Sequence, residues 1–227
     1  MTIYDLQKKP HHYSYVQNRV YDLIKDRFLR NTLKALDHLH KTNALTITYE
    51  NDGSKETIDI IDVLTDDTVN DIKIGYSKGK NYYSPNYNAI GFYDTHGVYF
   101  RKNYKKKWFS KNKGYNSPMA VLAHELIHCY NELYETEDYH ARKRNTSSRG
   151  EKIDRAGHDL SYPNAEEAFV IRMANQVAKR LGEDSRSNYG RSYYEVEDVR
   201  DTRKKGKRKN GRISQIFKRK SSKRNSL

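Results

Sequence analysis

His124, Glu125 and His128 restrict the fold of this chain more than any other stretch of its sequence. The spacing carries meaning only on an α-helix. There, residues i and i+4 project from one face, and two imidazoles can reach the same zinc ion with Glu125 beside it as a general base. The flanking residues supply such a helix. Ser117 is a good N-cap, and Pro118 suits the first helical position, where its missing N–H is not needed. Met119, Leu122, Leu126, Cys129 and Leu133 then recur at spacings of three and four, so this stripe faces a core while His124, His128 and Asn131 line a neighbouring face. Two histidines hydrogen-bonded on a half-buried helix would explain the spacing alone; Glu125 and the capped start favour the metal.

Catalytic zinc takes three protein ligands and keeps a fourth position open. An extended HExxHxxGxxH pattern would need Gly at 131 and His at 134, where this chain has Asn131 and Tyr134. A glutamate from a following helix is the remaining arrangement. The downstream helix starts at the N-cap Asn164, runs through EEAFVIRMANQVAKRL and closes at Gly182. Glu166 and Glu167 open it. Glu167 also fits a capping-box residue and Glu166 a dipole-stabilising acid, and helical phase does not separate them. His158 and Asp159 in the preceding loop are weaker ligand candidates, since a loop holds a donor less rigidly. The pairs His11-His12 and His38-His40 have no ligand spacing and read as surface residues.

The other elements follow from periodicity. Residues 15–41 read as one long helix or two, within an N-terminal helical segment 1–43. A catalytic domain spans 44–199. In it ALTITYE, the turn Asn51-Asp52-Gly53 and ETIDIIDVL form a hairpin, and strands at 71–76, 88–93 and 98–100 follow, the last two joined around His96-Gly97. The expected class is α+β, with a small, mostly antiparallel sheet ahead of the active helix. Residues 135–161 are polar and aperiodic and read as a long loop.

Charge is unevenly placed. Residues 200–227 hold 13 of the 43 Lys and Arg against Asp201 alone, so most of the net +14 belongs to a basic tail, and the rest of the chain is close to neutral. The tail reads as disordered and as a contact for an acidic or nucleic-acid partner. The basic segment 101–116, with Tyr104, Trp108 and Phe109, reads as a solvated loop with one aromatic anchor. The single cysteine excludes an intramolecular disulfide framework. No secretory h-region and no apolar run of membrane-spanning length occurs, so the expectation is a soluble protein, cytoplasmic, delivered by a signal-independent route or part of a particle.

Taken together, SPMAVLAHELIHCY, EEAFVIRMANQVAKRLG and LGEDSRSNYG resemble the NleD-like zinc metallopeptidases, bacterial effectors with an HELIH helix, a Glu pair and an Asn in the next helix, and a Gly-x-x-x-Arg-x-x-Tyr segment. The matching positions are His124, Glu125, His128, Glu166-Glu167, Asn175, Gly182, Arg186 and Tyr189, within about residues 85–195. The resemblance implies a zincin fold, zinc held by two His and a Glu, and hydrolysis of peptide bonds in a protein or peptide substrate. Of the pair, Glu167 is the favoured ligand and Glu166 the alternative. In this scheme Glu125 takes a proton from a zinc-activated water and passes it to the leaving amine, Arg186 or Tyr189 donates to the oxyanion, and an extended substrate adds to the sheet edge near 88–100. The N-terminal segment, the inter-helix loop and the tail depart from the family pattern, so its substrates do not carry over. Two other classes compete: a structural or assembly protein, for example of a virion, on an inactive zincin scaffold, and a nucleic-acid-binding module using the tail and 101–116.

Overall fold

A computed structural model describes residues 1–51, 53–106 and 112–202 of the chain. Trp108, Phe109 and the tail from 203 onward lie outside the described residues.

The N-terminal region departs from the helical expectation. Its first residues form two strands, β1 (Thr2–Tyr4) and β2 (Pro10–His12), and the helix α1 covers only Arg27–Lys41. Asp26 sets the start, since its side chain accepts the Leu29 N–H at 2.8 Å and ends any helical continuity with the residues before it. Val16, Val20 and Leu23, which gave 15–24 a helical rhythm, are exposed. Within α1 the apolar face carrying Phe28, Leu36 and Leu39 is fully buried.

A hairpin of β3 (Thr46–Asn51) and β4 (Ser54–Asp59) follows as expected, with Gly53 at φ +78°. The expected second strand stops at Asp59, which caps α2 (Ile60–Asp66) by accepting the Asp62 N–H. Ile60, Ile61 and Leu64 are all buried, a spacing that one face of a helix satisfies and an alternating strand does not.

The main sheet adds β5 (Lys73–Tyr76), β6 (Tyr82–Ser84) and β7 (Ala89–Phe92) in the order β2-β1-β5-β7-β6. It is mixed rather than mostly antiparallel: β5 lies parallel to both β1 and β7, while β2 and β6 run antiparallel at the two edges. Residues 1–12 therefore share a sheet with residues 73–92. Gly91 is required where β6 closes over β7, because a Cβ there would run into the Tyr82 ring. The chain then leaves this sheet instead of forming a β7–β8 hairpin. Strand β8 (His96–Arg101) sits between β9 (Lys113–Asn116) and β10 (Ser192–Glu195) in a separate antiparallel sheet. Buried Asp94 anchors the crossing, accepting from Arg27 at 2.9 Å and Asn31 at 2.7 Å on α1.

At the centre is α3 (Pro118–Tyr134), with Ser117 accepting the Ala120 N–H and Pro118 in its first turn, as the sequence led us to expect. It packs on α1, α2, β6, β7, β8 and β9, and every residue from Pro118 to Asn131 is buried. Leu122, Leu126 and Ile127 each contribute about 1.5–3 kcal/mol of burial there. Two more helices pack against it, α4 (Thr136–Arg144) and α5 (Ala165–Arg180), the latter ended by Gly182 at φ +69°. The architecture is α+β with small sheets and five α-helices among the described residues. No described helix is long and apolar enough to cross a membrane.

Candidate metal centre

Helices α3 and α5 bring three donors to one point. His124, His128 and Glu167 each present a ligand atom, and these atoms lie within 4.8 Å of one another. Glu167 Oε2 stands 3.4 Å from Nε2 of His124 and 3.4 Å from Nε2 of His128. That oxygen is buried and has no hydrogen-bond partner, an arrangement that a shared cation explains and an apolar core would not tolerate. Two imidazoles and one carboxylate from two rigid helices fit a divalent ion with an open coordination position. Burial opposes the charge on Glu167, but the two imidazoles outweigh it and hold its carboxyl far below the usual range. His158 and Asp159 lie outside this cluster: the first is mostly exposed and pairs with Asp154, and the second accepts backbone N–H groups of Gly150 and Ser161. His11 and His40 pair instead with Asp5 and Asp62.

Helix α5 enters with Asn164 accepting the Glu167 N–H at 3.0 Å, which is half of a capping box. The Glu167 carboxylate does not complete the box; it faces the histidines. Glu166, one residue earlier and fully buried, approaches the other ring nitrogen of His128, Nδ1, at 3.3 Å. Asn131 Nδ2 donates to Glu166 at 2.9 Å, and Arg142 Nε donates to its second oxygen at 2.5 Å. A carboxylate behind a ligating imidazole fixes the ring and raises its basicity. Buried equally deeply, the two imidazoles diverge accordingly: burial lowers His124, whereas Glu166 and Glu167 outweigh burial at His128 and raise it to about 9.

Arg142 belongs to α4, where the sequence suggested a loop. This helix has one buried residue, Tyr139, so it gives almost no apolar rhythm to read. Its acidic first turn, Glu137 and Asp138, and basic last turn, Arg142 to Arg144, match a helix dipole and were the available signal. The guanidinium of Arg142 also donates to Glu135 at 3.2 Å and lies over the Phe169 ring.

A cavity of about 110 Å³ opens over the three donors, lined by Glu125, Tyr139, Lys143, Tyr189 and Arg191, with Asn81, Tyr82 and Tyr83 from β6 and the turn before it. Glu125 is buried beside His124 on α3. Tyr189 lines this cavity. Arg186 is not among the residues around this cavity. Its guanidinium donates to the Tyr189 carbonyl at 3.0 Å, and its own N–H and C=O are clasped by the Asn175 amide at 2.7 and 2.8 Å. Arg186 thus shapes the loop that presents Tyr189, and the cations lining the cavity are Lys143 and Arg191, which sequence spacing did not single out. Glu183, just past α5, accepts the Ser117 N–H at 2.9 Å and ties this loop to the start of α3. The expected substrate edge at 88–100 is also displaced: β7 and β8 are interior strands, and among the described residues the edge strand at the cavity is β6.

No protein-family model, curated protein or solved structure matches this chain.

Proposed function

We propose that the chain is a zinc-dependent metallopeptidase of zincin type, hydrolysing peptide bonds in a protein or peptide substrate. The observation that carries this reading is the convergence of His124, His128 and Glu167 on one point with Glu125 in the same cavity. The donor set, two nitrogens and one oxygen, favours zinc over harder cations. When bound, zinc supplies Lewis-acid activation of water and of the scissile carbonyl. Glu125 accepts the proton of the attacking water and delivers it to the leaving amine. The Tyr189 hydroxyl, raised above its ordinary range by burial and by Glu167, stays protonated and donates to the developing oxyanion. An extended peptide pairs with the edge of β6 that no described strand occupies; the Tyr83 hydroxyl of β6 donates to Glu132 on α3 at 2.9 Å and so holds the strand against the active helix. The relation to NleD-like effectors belongs to the same proposal and rests on the residues quoted for it above.

The test is metal content by mass spectrometry on protein purified without chelator, together with cleavage of a mixed peptide library. About one zinc per chain and cleavage abolished in Glu125→Gln are expected. Metal-free wild-type protein, or a Glu125→Gln variant as active as wild type, would sink the reading.

A further inference from the structure

The cavity over the donors carries two cations, neither of which forms an ion pair with a carboxylate among the described residues. Lys143 projects from the last turn of α4 and Arg191 from the segment leading into β10, so they approach from different walls. Among the described residues neither has a carboxylate within 4.0 Å or a side-chain hydrogen bond; Lys143 lies over the Tyr139 ring and Arg191 over the Tyr189 ring. Both are partly buried. Of the nearby acids, Glu166 is held by Arg142 and Asn131 and Glu167 faces the histidines, while Glu125 and Glu167 favour the charge on Arg191 without pairing with it. A divalent ion at the donors offsets Glu125 and Glu167. The loaded cavity is then left with the charges of Lys143 and Arg191, in a recess where low dielectric strengthens their field.

We infer that this cavity selects a substrate carrying a carboxylate close to the scissile bond, held between Arg191 and Lys143. This deepens the peptidase reading and rests on it. A guanidinium offers a carboxylate two parallel N–H donors, whereas an ammonium is a single point of charge, so Arg191 sets the geometry and Lys143 reinforces it. The carboxylate is either an acidic side chain or a free peptide C-terminus.

The experiment uses the zinc-loaded, full-length Glu125→Gln protein and isothermal titration with alanine-based octapeptides. One set is acetylated and amidated, with a single Glu, Gln or Lys moved through the four central positions; a second set has the C-terminus free. At low salt the best Glu peptide is expected to bind at least about tenfold tighter than its Gln counterpart, the scale of a charge-assisted hydrogen bond. Arg191→Gln and Lys143→Gln should each reduce that preference while zinc content stays at wild-type level, and Arg191→Lys should restore part of it. Preference for the free C-terminus alone identifies the carboxylate as terminal. Equal or absent binding across both sets, or a preference surviving Arg191→Gln and Lys143→Gln, overturns the inference. The peptidase reading fails separately, if wild-type protein cleaves none of the peptides that its Glu125→Gln variant binds.

Discussion

Glu166 stands 3.3 Å from Nδ1 of His128, on the ring nitrogen that does not face the other donors. Its sequence neighbour Glu167 approaches Nε2 of the same ring at 3.4 Å. One imidazole is thus held between two adjacent glutamates in different roles, donor and support. Glu167→Gln should therefore weaken zinc binding by several orders of magnitude, and Glu166→Gln by about 10- to 100-fold, the usual cost of losing an outer partner of a ligating histidine. Competition against a chelator of known affinity reads both values. Equal losses, or the reverse order, would exchange the roles.

Arg142 touches none of the three donors yet carries the Glu166 carboxylate. Replacing it with Gln leaves a buried carboxylate short of its cation and should lower zinc affinity by about 10-fold or more. The change is also expected to destabilise the fold by about 3–5 kcal/mol, since the remaining charge stays buried. Urea denaturation of the zinc-free protein and chelator competition separate the two effects. Unchanged zinc affinity would show that Glu166 holds His128 without help from α4.

The start of α3, its two histidines and its stripe were legible because local chemistry decides them: a Ser-Pro cap and a spacing of four suffice. The choice between Glu166 and Glu167 was not. Both sit in the first turn of α5, and which carboxylate meets His124 depends on how α5 packs against α3, a relation between distant segments. Helix α4 was hidden for a different reason. A surface helix with only Tyr139 buried has no apolar period, so its capping charges were the sole trace. The mixed sheet was hidden by length, since strands of three residues such as β1 and β6 are too short for alternation to register. Arg186 could be read from sequence either as an oxyanion donor or as a structural residue, because a buried guanidinium bonded to carbonyls and one exposed to substrate look alike there.

Truncation distinguishes the tail from the body it leaves. Val199 is fully buried, and its carbonyl accepts the Met119 N–H at 3.1 Å. Removing residues 203–227 should leave the melting temperature unchanged within about 1 °C, whereas removal from 198 onward should lower it by several degrees, as a buried Val of about 1.5–3 kcal/mol requires. Calorimetry on the two truncations checks this; a large drop for the shorter deletion would mean that the tail docks.

Cys129 lies on α3 between His128 and Tyr130, wholly enclosed, and burial pushes its thiol up to about 12. The native protein should react with a thiol-specific disulfide reagent at pH 8 at least about 100-fold more slowly than the protein in denaturant, because neither the thiolate nor a path to it is present. Fast labelling of folded protein would require α3 to open.

Two of the three donors, His124 and His128, stand on a helix enclosed from Pro118 to Asn131, and the salt bridge from Arg142 to Glu166 braces His128 from behind. A finger-like domain collapses when its ion leaves; a site set on so buried a helix is expected to keep its mould. In the proposed peptidase, withdrawal and return of zinc are accordingly expected to be local exchanges at the cavity mouth, with no folding step between.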